Sequence, residues 1–256
     1  MTEALLDAQS ITKRFSGINA LDHVSISVNS GELVALIGPN GAGKTTFFNC
    51  LLGLLHPDGG QVRFNGVDLS GLPVHRRCRL GMARTFQRVE LFTGMTVRDH
   101  LLVAARARTS NGGLLRDLVN RSKPTSEELD EAEATLELLD LTPVADRAAE
   151  SLSLGKGRVV ELGRALMCRP SLLFLDEPSS GLDVSETFDM GEVLLKVQRE
   201  RRTAILLVEH DVPLVSRLAQ RISVLDCGVL IASGPTAEVL ASDEVRMAYL
   251  GTGVGT

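Results

Sequence analysis

No run of apolar residues in this chain comes near the ~18–20 needed to cross a bilayer as a helix. The long ones, such as residues 204–208, have the length of a single strand. A basic leader is missing too: the chain opens MTEALLDAQS, with an acid where a secretory signal would carry positive charge. These absences predict no membrane-crossing segment, so any attachment to a membrane has to run through partner proteins. Basic excess is also absent. A formal charge of −5 argues against a general nucleic-acid binder, which would show a basic face. Cysteine is scarce, with residues 50, 78, 168 and 227 at spacings that make no CxxC pair. They are read as reduced, mostly buried thiols of a cytoplasmic protein.

What is present is enough apolar residue, 44% of 256, to build a sizeable core in one large domain. Residues 21–28 alternate apolar and polar, and residues 33–37 form a short apolar run that suits a buried strand. A Gly-rich turn follows, then a helical stretch over 45–55 and a strand over 61–65 closed by Asn65-Gly66. Residues 97–107 and 126–139 read as helices, the second opening with Ser126 and acids in its first turn. The Gly- and Pro-containing stretch 110–125 between them reads as a surface excursion. We therefore expect a helical lobe over 88–160 inserted into an α/β core made of 1–87 and 161–256. Strands at 172–175 and 204–208 alternate with helices near 185–202 and 212–218, which implies a parallel sheet with right-handed crossovers. Residues 222–226 and 229–233 flank Cys227-Gly228 as a hairpin. Basic clusters at 75–79 and 199–202 read as solvated helix surface.

Residues 38–45 read Gly-Pro-Asn-Gly-Ala-Gly-Lys-Thr and satisfy GxxxxGK[ST]. Chance would produce such a match about once per hundred chains of this length, so its setting between a strand and a helix matters. Gly38, Gly41 and Gly43 let the backbone curl until successive amides of the Gly38, Pro39, Asn40, Gly41, Ala42, Gly43 loop face a phosphate. The helix that starts there turns its positive end to the same anion. Lys44 would reach the β- and γ-phosphates, the Thr45 hydroxyl would bind Mg²⁺, and Thr46 would contact the α-phosphate.

A second cluster lies in Leu172-Leu173-Phe174-Leu175-Asp176-Glu177-Pro178. Asp176, ending a buried strand, would hold Mg²⁺ through water. Glu177 points to the other side and could address an attacking water as general base. Solvated acids at a strand end are the plainer reading of this segment alone, and the phosphate loop is what tips the choice. His210, in Val-Glu-His-Asp after the strand at 204–208, sits where open α/β sheets place ligands and could donate to a γ-phosphate.

Together these residues resemble the nucleotide-binding subunit of ATP-binding-cassette (ABC) transporters along essentially the whole chain. The order matches: an aromatic at Phe15, the phosphate loop 38–46, Gln87, a signature at 152–158, the acidic strand 172–177, a loop at 180–183 and His210. The resemblance implies a P-loop NTPase core, a mostly parallel sheet with an antiparallel β subdomain, plus the inserted α-helical subdomain. It implies ATP and Mg²⁺ as ligands, with Phe15 stacking on adenine and Gln87 sensing the γ-phosphate or Mg²⁺. Ser153, Gly155 and Asp183 would meet nucleotide at the contact between two cassettes. The stretches 38–50, 84–87, 91–97 and 248–251 look closer still to the larger ATP-binding subunit of branched-chain amino-acid importers. That subfamily implies a second ATPase subunit, identical or different, membrane permeases, and a periplasmic or extracellular solute-binding protein reached indirectly. The cassette would then sit peripherally on the cytoplasmic face of the cell membrane.

One departure stands out. The family's signature is usually Leu-Ser-Gly-Gly-Gln, whereas this chain has Leu152-Ser153-Leu154-Gly155-Lys156. Ser153 can still cap a helix, and Gly155 still permits close backbone approach. Lys156 near a positive helix end either serves as a replacement cation for the partner's ATP or marks a weakened partner site. Two other functions compete with a transport motor. A soluble ABC ATPase of DNA repair or translation would usually bring two cassettes, a coiled-coil insertion or a basic face, and a non-hydrolysing regulatory module would not need Asp176, Glu177 and His210.

Overall fold

The computed structural model describes residues 4–85, 90–109 and 124–250. Among them an antiparallel sheet comes first in the chain: β1 (Leu6–Phe15), β2 (Ile18–Val28), β4 (Gly59–Phe64) and β5 (Val67–Asp68), in the order β2-β1-β4-β5. The larger sheet contains β3 (Leu33–Ile37), β6 (Met82–Arg84), β7 (Leu172–Asp176), β8 (Ala204–Val208), β9 (Arg221–Asp226) and β10 (Val229–Pro235). Its order is β10-β9-β3-β8-β7-β6, parallel throughout except for the β9–β10 hairpin.

Strands β3, β7 and β8 are buried at every position, as uninterrupted apolar runs should be when a parallel sheet is covered on both faces. Alternation then divides their side chains between two cores. Leu33, Ala35 and Ile37 join Leu173, Leu175, Ile205 and Leu207 on the face covered by helices. Those helices are α3 (Val97–Thr109), α4 (Ser126–Leu138), α5 (Leu154–Leu166), α6 (Val184–Arg201) and α7 (Val212–Leu218). Val34, Leu36, Phe174 and Leu206 face the other way, onto α1 (Lys44–Leu52) and the antiparallel sheet beyond it. Phe48 of α1 meets Phe174 edge-on at 5.4 Å. The phosphate-loop helix is therefore wedged between two sheets.

Several local readings need correction. The helix read over 45–55 ends at Leu52, because Gly53 takes a left-handed φ of 80° and the amides of Leu54 and Leu55 turn back to the Asn49 carbonyl. The α4 cap is Thr125, not Ser126: the Thr125 hydroxyl accepts from the Glu128 amide while the Glu128 carboxylate accepts from the Thr125 amide. The lobe boundary expected between 160 and 161 falls inside α5, which is continuous. Of the four cysteines only Cys50 is buried. Finally, the cluster at 75–79 is not all solvated surface. Arg77, in α2 (Val74–Arg79), is only 4% exposed and donates to the carbonyls of Cys50, Leu51, Leu69 and Leu72. Its guanidinium closes the C-terminal end of α1.

Candidate active site

Register alone assembles the site. Leu36 of β3 pairs with Val208 of β8, and Val208 pairs with Asp176 of β7. Three segments thus leave one edge of the sheet side by side: the phosphate loop after β3, Glu177 after β7, and Glu209-His210 after β8. This is the carboxyl edge of parallel strands, where such sheets place their ligands.

The loop's shape depends on glycine at two crowded points. Gly38 has φ 151°, and a Cβ there would lie 2.0 Å from the Leu225 carbonyl oxygen. Gly43 has φ 105°, and a Cβ there would lie 2.5 Å from the Ala20 carbonyl oxygen. Both neighbours are backbone, so neither can yield cheaply. The β9–β10 turn braces the loop further, with the Gly228 amide donating to the Ala42 carbonyl at 2.9 Å. Gly43 precedes α1 without any side-chain cap, so the first amides of α1 are not taken by a protein side chain.

Lys44 is buried at 6% exposure and donates to the carbonyls of Gly38 and Pro39 at 2.6 and 2.9 Å. Burial holds its ammonium below the usual lysine range, and the charges of Glu177 and Asp176 oppose that shift. Thr45 and Asn40 are exposed beside it, and Thr46 is half-buried.

Asp176 is fully enclosed. Its Oδ2 accepts from Arg84 Nη2 at 2.8 Å, while Oδ1 is buried with no partner. Glu177 adopts a left-handed φ of 49° with its amide on the Val208 carbonyl, which swings its side chain to the solvent side of the strand end. Its Oε1 lies 3.9 Å from His210 Nδ1. Glu209, not among the residues singled out from the sequence, is fully buried. It accepts from the Ser179 amide and hydroxyl and from the His210 amide, so it pins the segment after Glu177 to the segment carrying the histidine. A glutamate directly after an all-apolar strand was the available signal for it.

Other expected residues lie elsewhere. Phe15, 43% exposed, stands at the tip of the β1–β2 hairpin opposite Ile18, with Lys13 Nζ 5.5 Å from its ring centre. Ala20 of the same hairpin is the residue against Gly43. The signature forms a separate group around the start of α5. Ser153 caps that helix through the Lys156 amide, and the Gly155 amide donates to Glu186 Oε1 at 3.3 Å. Asp183 caps α6 by accepting from the Glu186 amide at 2.8 Å. Gln87 lies outside the described residues.

With this geometry in place, comparison with known proteins decides the family. The family model described as ABC transporter matches residues 21–180. The chain belongs to the ABC transporter family. It is an ATP-binding cassette of that family and an ATPase. It is 41% identical over 254 residues to the high-affinity branched-chain amino acid transport ATP-binding protein LivG of Salmonella typhimurium, covering 98% of this chain and 99% of that one. BraF of Pseudomonas aeruginosa, a protein of the same description, is 39% identical with the same coverage. The lipopolysaccharide export ATP-binding protein LptB of Escherichia coli is 32% identical over 248 residues, 97% of this chain and 98% of that one. Among solved structures, the ADP conformation of MJ1267, an ATP-binding cassette of an ABC transporter, superposes with a TM-score of 0.85 at 33% identity, over 98% of this chain and 100% of that one. No helix among the described residues of the cassette is long and apolar enough to cross a membrane.

Do the residues of the cassette fit Mg²⁺? Among the described residues no group of three or more His, Cys, Asp or Glu side chains could form a closed cage. A magnesium site of this kind needs only one or two protein oxygens, the rest coming from substrate phosphates and water. The orphaned Oδ1 of Asp176 and the exposed hydroxyl of Thr45 meet that requirement.

Proposed function

We propose that the cassette is the ATP-binding and ATP-hydrolysing subunit of an importer for branched-chain or chemically related amino acids. The observation that carries the mechanism is the convergence of the phosphate loop, Asp176-Glu177 and Glu209-His210 on one edge of the sheet. The solute class is supported by the likeness to LivG and BraF over nearly the full length of each chain.

In this reading the loop 38–46, through its backbone N–H groups other than Pro39, which has none, and including the start of α1, receives the triphosphate. Lys44 exchanges the carbonyls of Gly38 and Pro39 for phosphate oxygens, which relieves the cost of its burial. Thr45 and Asp176, together with Gln87, hold Mg²⁺, which when bound neutralises charge that develops on the phosphate oxygens. Glu177 takes the proton of the attacking water, and His210 donates to the γ-phosphate while Glu209 keeps it in place. Phe15 stacks on the adenine. Ser153, Gly155 and Asp183 face the nucleotide of a second cassette, identical or different. Closure on ATP and reopening after hydrolysis then drive permease subunits, and a solute-binding protein outside the membrane supplies cargo. The cassette would be held peripherally at the cytoplasmic face through those permeases.

The test uses the full chain, assembled with the membrane subunits that co-purify with it, in vesicles loaded with ATP and supplied on the outside with the solute-binding protein of the same transporter. Glu177→Gln should keep ATP binding while hydrolysis and leucine uptake fall by about 10²–10⁴-fold. Lys44→Ala should lose binding itself. Unchanged hydrolysis in the glutamine variant would remove Glu177 as the base, and vesicles that hydrolyse ATP without moving branched-chain amino acids would remove the solute assignment.

A further inference from the structure

Arg84 ends β6 at the edge of the large sheet, three residues before Gln87. It pairs with Phe174 across the β6–β7 ladder, so its side chain stands on the same face as Phe174 and Asp176. That face looks onto α1, where Phe48 packs against Phe174. Arg84 thus reaches two groups at once: Nη2 donates to Asp176 Oδ2 at 2.8 Å, and Nη1 donates to Asn49 Oδ1 of α1 at 3.3 Å. The side chain is 19% exposed, and that of Asp176 is not exposed at all.

We infer that Arg84 is a positioning residue that presents Asp176 to the metal of the nucleotide. A buried carboxylate is costly unless its oxygens are satisfied, and here only one of them is. The guanidinium takes Oδ2, anchors the carboxylate rotamer to the phosphate-loop helix through Asn49, and leaves Oδ1 as the single open acceptor. That is the division a metal-directed carboxylate requires: one oxygen fixed by an outer partner, the other turned to the ion. A planar fork can bridge Asp176 and Asn49 simultaneously, which a lysine ammonium on one flexible stem cannot do as well. The assignment rests on the nucleotide-site reading above and specifies a residue that supports it.

The experiment compares nucleotide affinity with and without metal, using a fluorescent ATP analogue on the full chain, in Mn²⁺ and in EDTA. In the unsubstituted chain Mn²⁺ strengthens binding by some factor. Arg84→Met should bind the analogue normally in EDTA yet lose about 10–100-fold of that factor. Arg84→Lys should fall in between. A purely structural ion pair would lower the melting temperature of Arg84→Met and leave the metal factor intact, and that result overturns the inference. Should Arg84→Met not fold, Arg84→Lys decides: a metal factor equal to that of the unsubstituted chain overturns it equally. Failure of the unsubstituted chain to bind the analogue in either buffer would instead refute the nucleotide site itself.

Discussion

Consider the replacement of Arg77 by methionine, which keeps the length and apolar stem of the side chain but removes the guanidinium. Four carbonyls lose a donor, but not all are stranded. The Cys50 carbonyl also accepts from the Gly53 amide, and the Leu69 carbonyl from the Leu72 amide. The Leu51 and Leu72 carbonyls, bonded at 2.6 and 2.9 Å, have no other donor among the described hydrogen bonds. At about 1–3 kcal/mol for a buried acceptor left unpaired, the buried Leu51 carbonyl dominates and the part-buried Leu72 carbonyl adds less, for a loss of about 1–4 kcal/mol. At its upper end that is a large part of the roughly 5–15 kcal/mol that a domain has in total. Urea unfolding followed by circular dichroism measures it directly. Lysine at position 77 should recover part of the loss, since one ammonium can satisfy the Leu51 carbonyl but cannot fork to both ends. A methionine variant as stable as the parent would refute the idea that this arginine closes α1.

Two other outcomes follow from buried groups. Burial holds the Glu161 carboxyl above its ordinary value of 4.5, against the Glu90 amide and the Arg164 and Arg158 charges that favour its ionised form. Between the ordinary and the raised value the folded chain binds more protons than the unfolded chain, so this group's contribution is full below 4.5 and declines as pH rises through the raised value. Glu161→Gln keeps an acceptor for Glu90 and should therefore melt higher than the parent near pH 8, with the advantage vanishing towards pH 4; a pH-independent difference would contradict this. For the thiols, burial pushes Cys50 up to about 11. Burial also raises the Cys78 and Cys168 thiols, and the Asp226 carboxylate raises that of Cys227, so iodoacetamide at about pH 8 should modify these three exposed residues slowly in the native chain and reach Cys50 only after denaturation. Native-state labelling of Cys50 at the rate of the others, read by peptide mapping, would show that α1 is not packed as described.

The proposed nucleotide site was legible because its residues are fixed by local chemistry. Gly38 and Gly43 are demanded by left-handed backbone against neighbouring carbonyls, Lys44 and Thr45 follow them directly, and Asp176-Glu177 closes an apolar strand. The fully buried strands were legible for a related reason: five consecutive apolar residues, too short for a buried helix and followed by turn or polar residues, suit a sheet covered on both faces. Tertiary structure alone decided the rest, since burial and pairing over long separations leave no local trace. Arg77 sits among exposed basic residues in sequence yet caps a helix 26 positions away. Arg84 finds Asp176 across 92 residues only because β6 joins the sheet beside β7. Glu209 becomes a clamp only once β7 and β8 are neighbours and Ser179 is brought to it. The chain alone determines which groups can hold a phosphate, and the order of strands determines which charges end up facing one another.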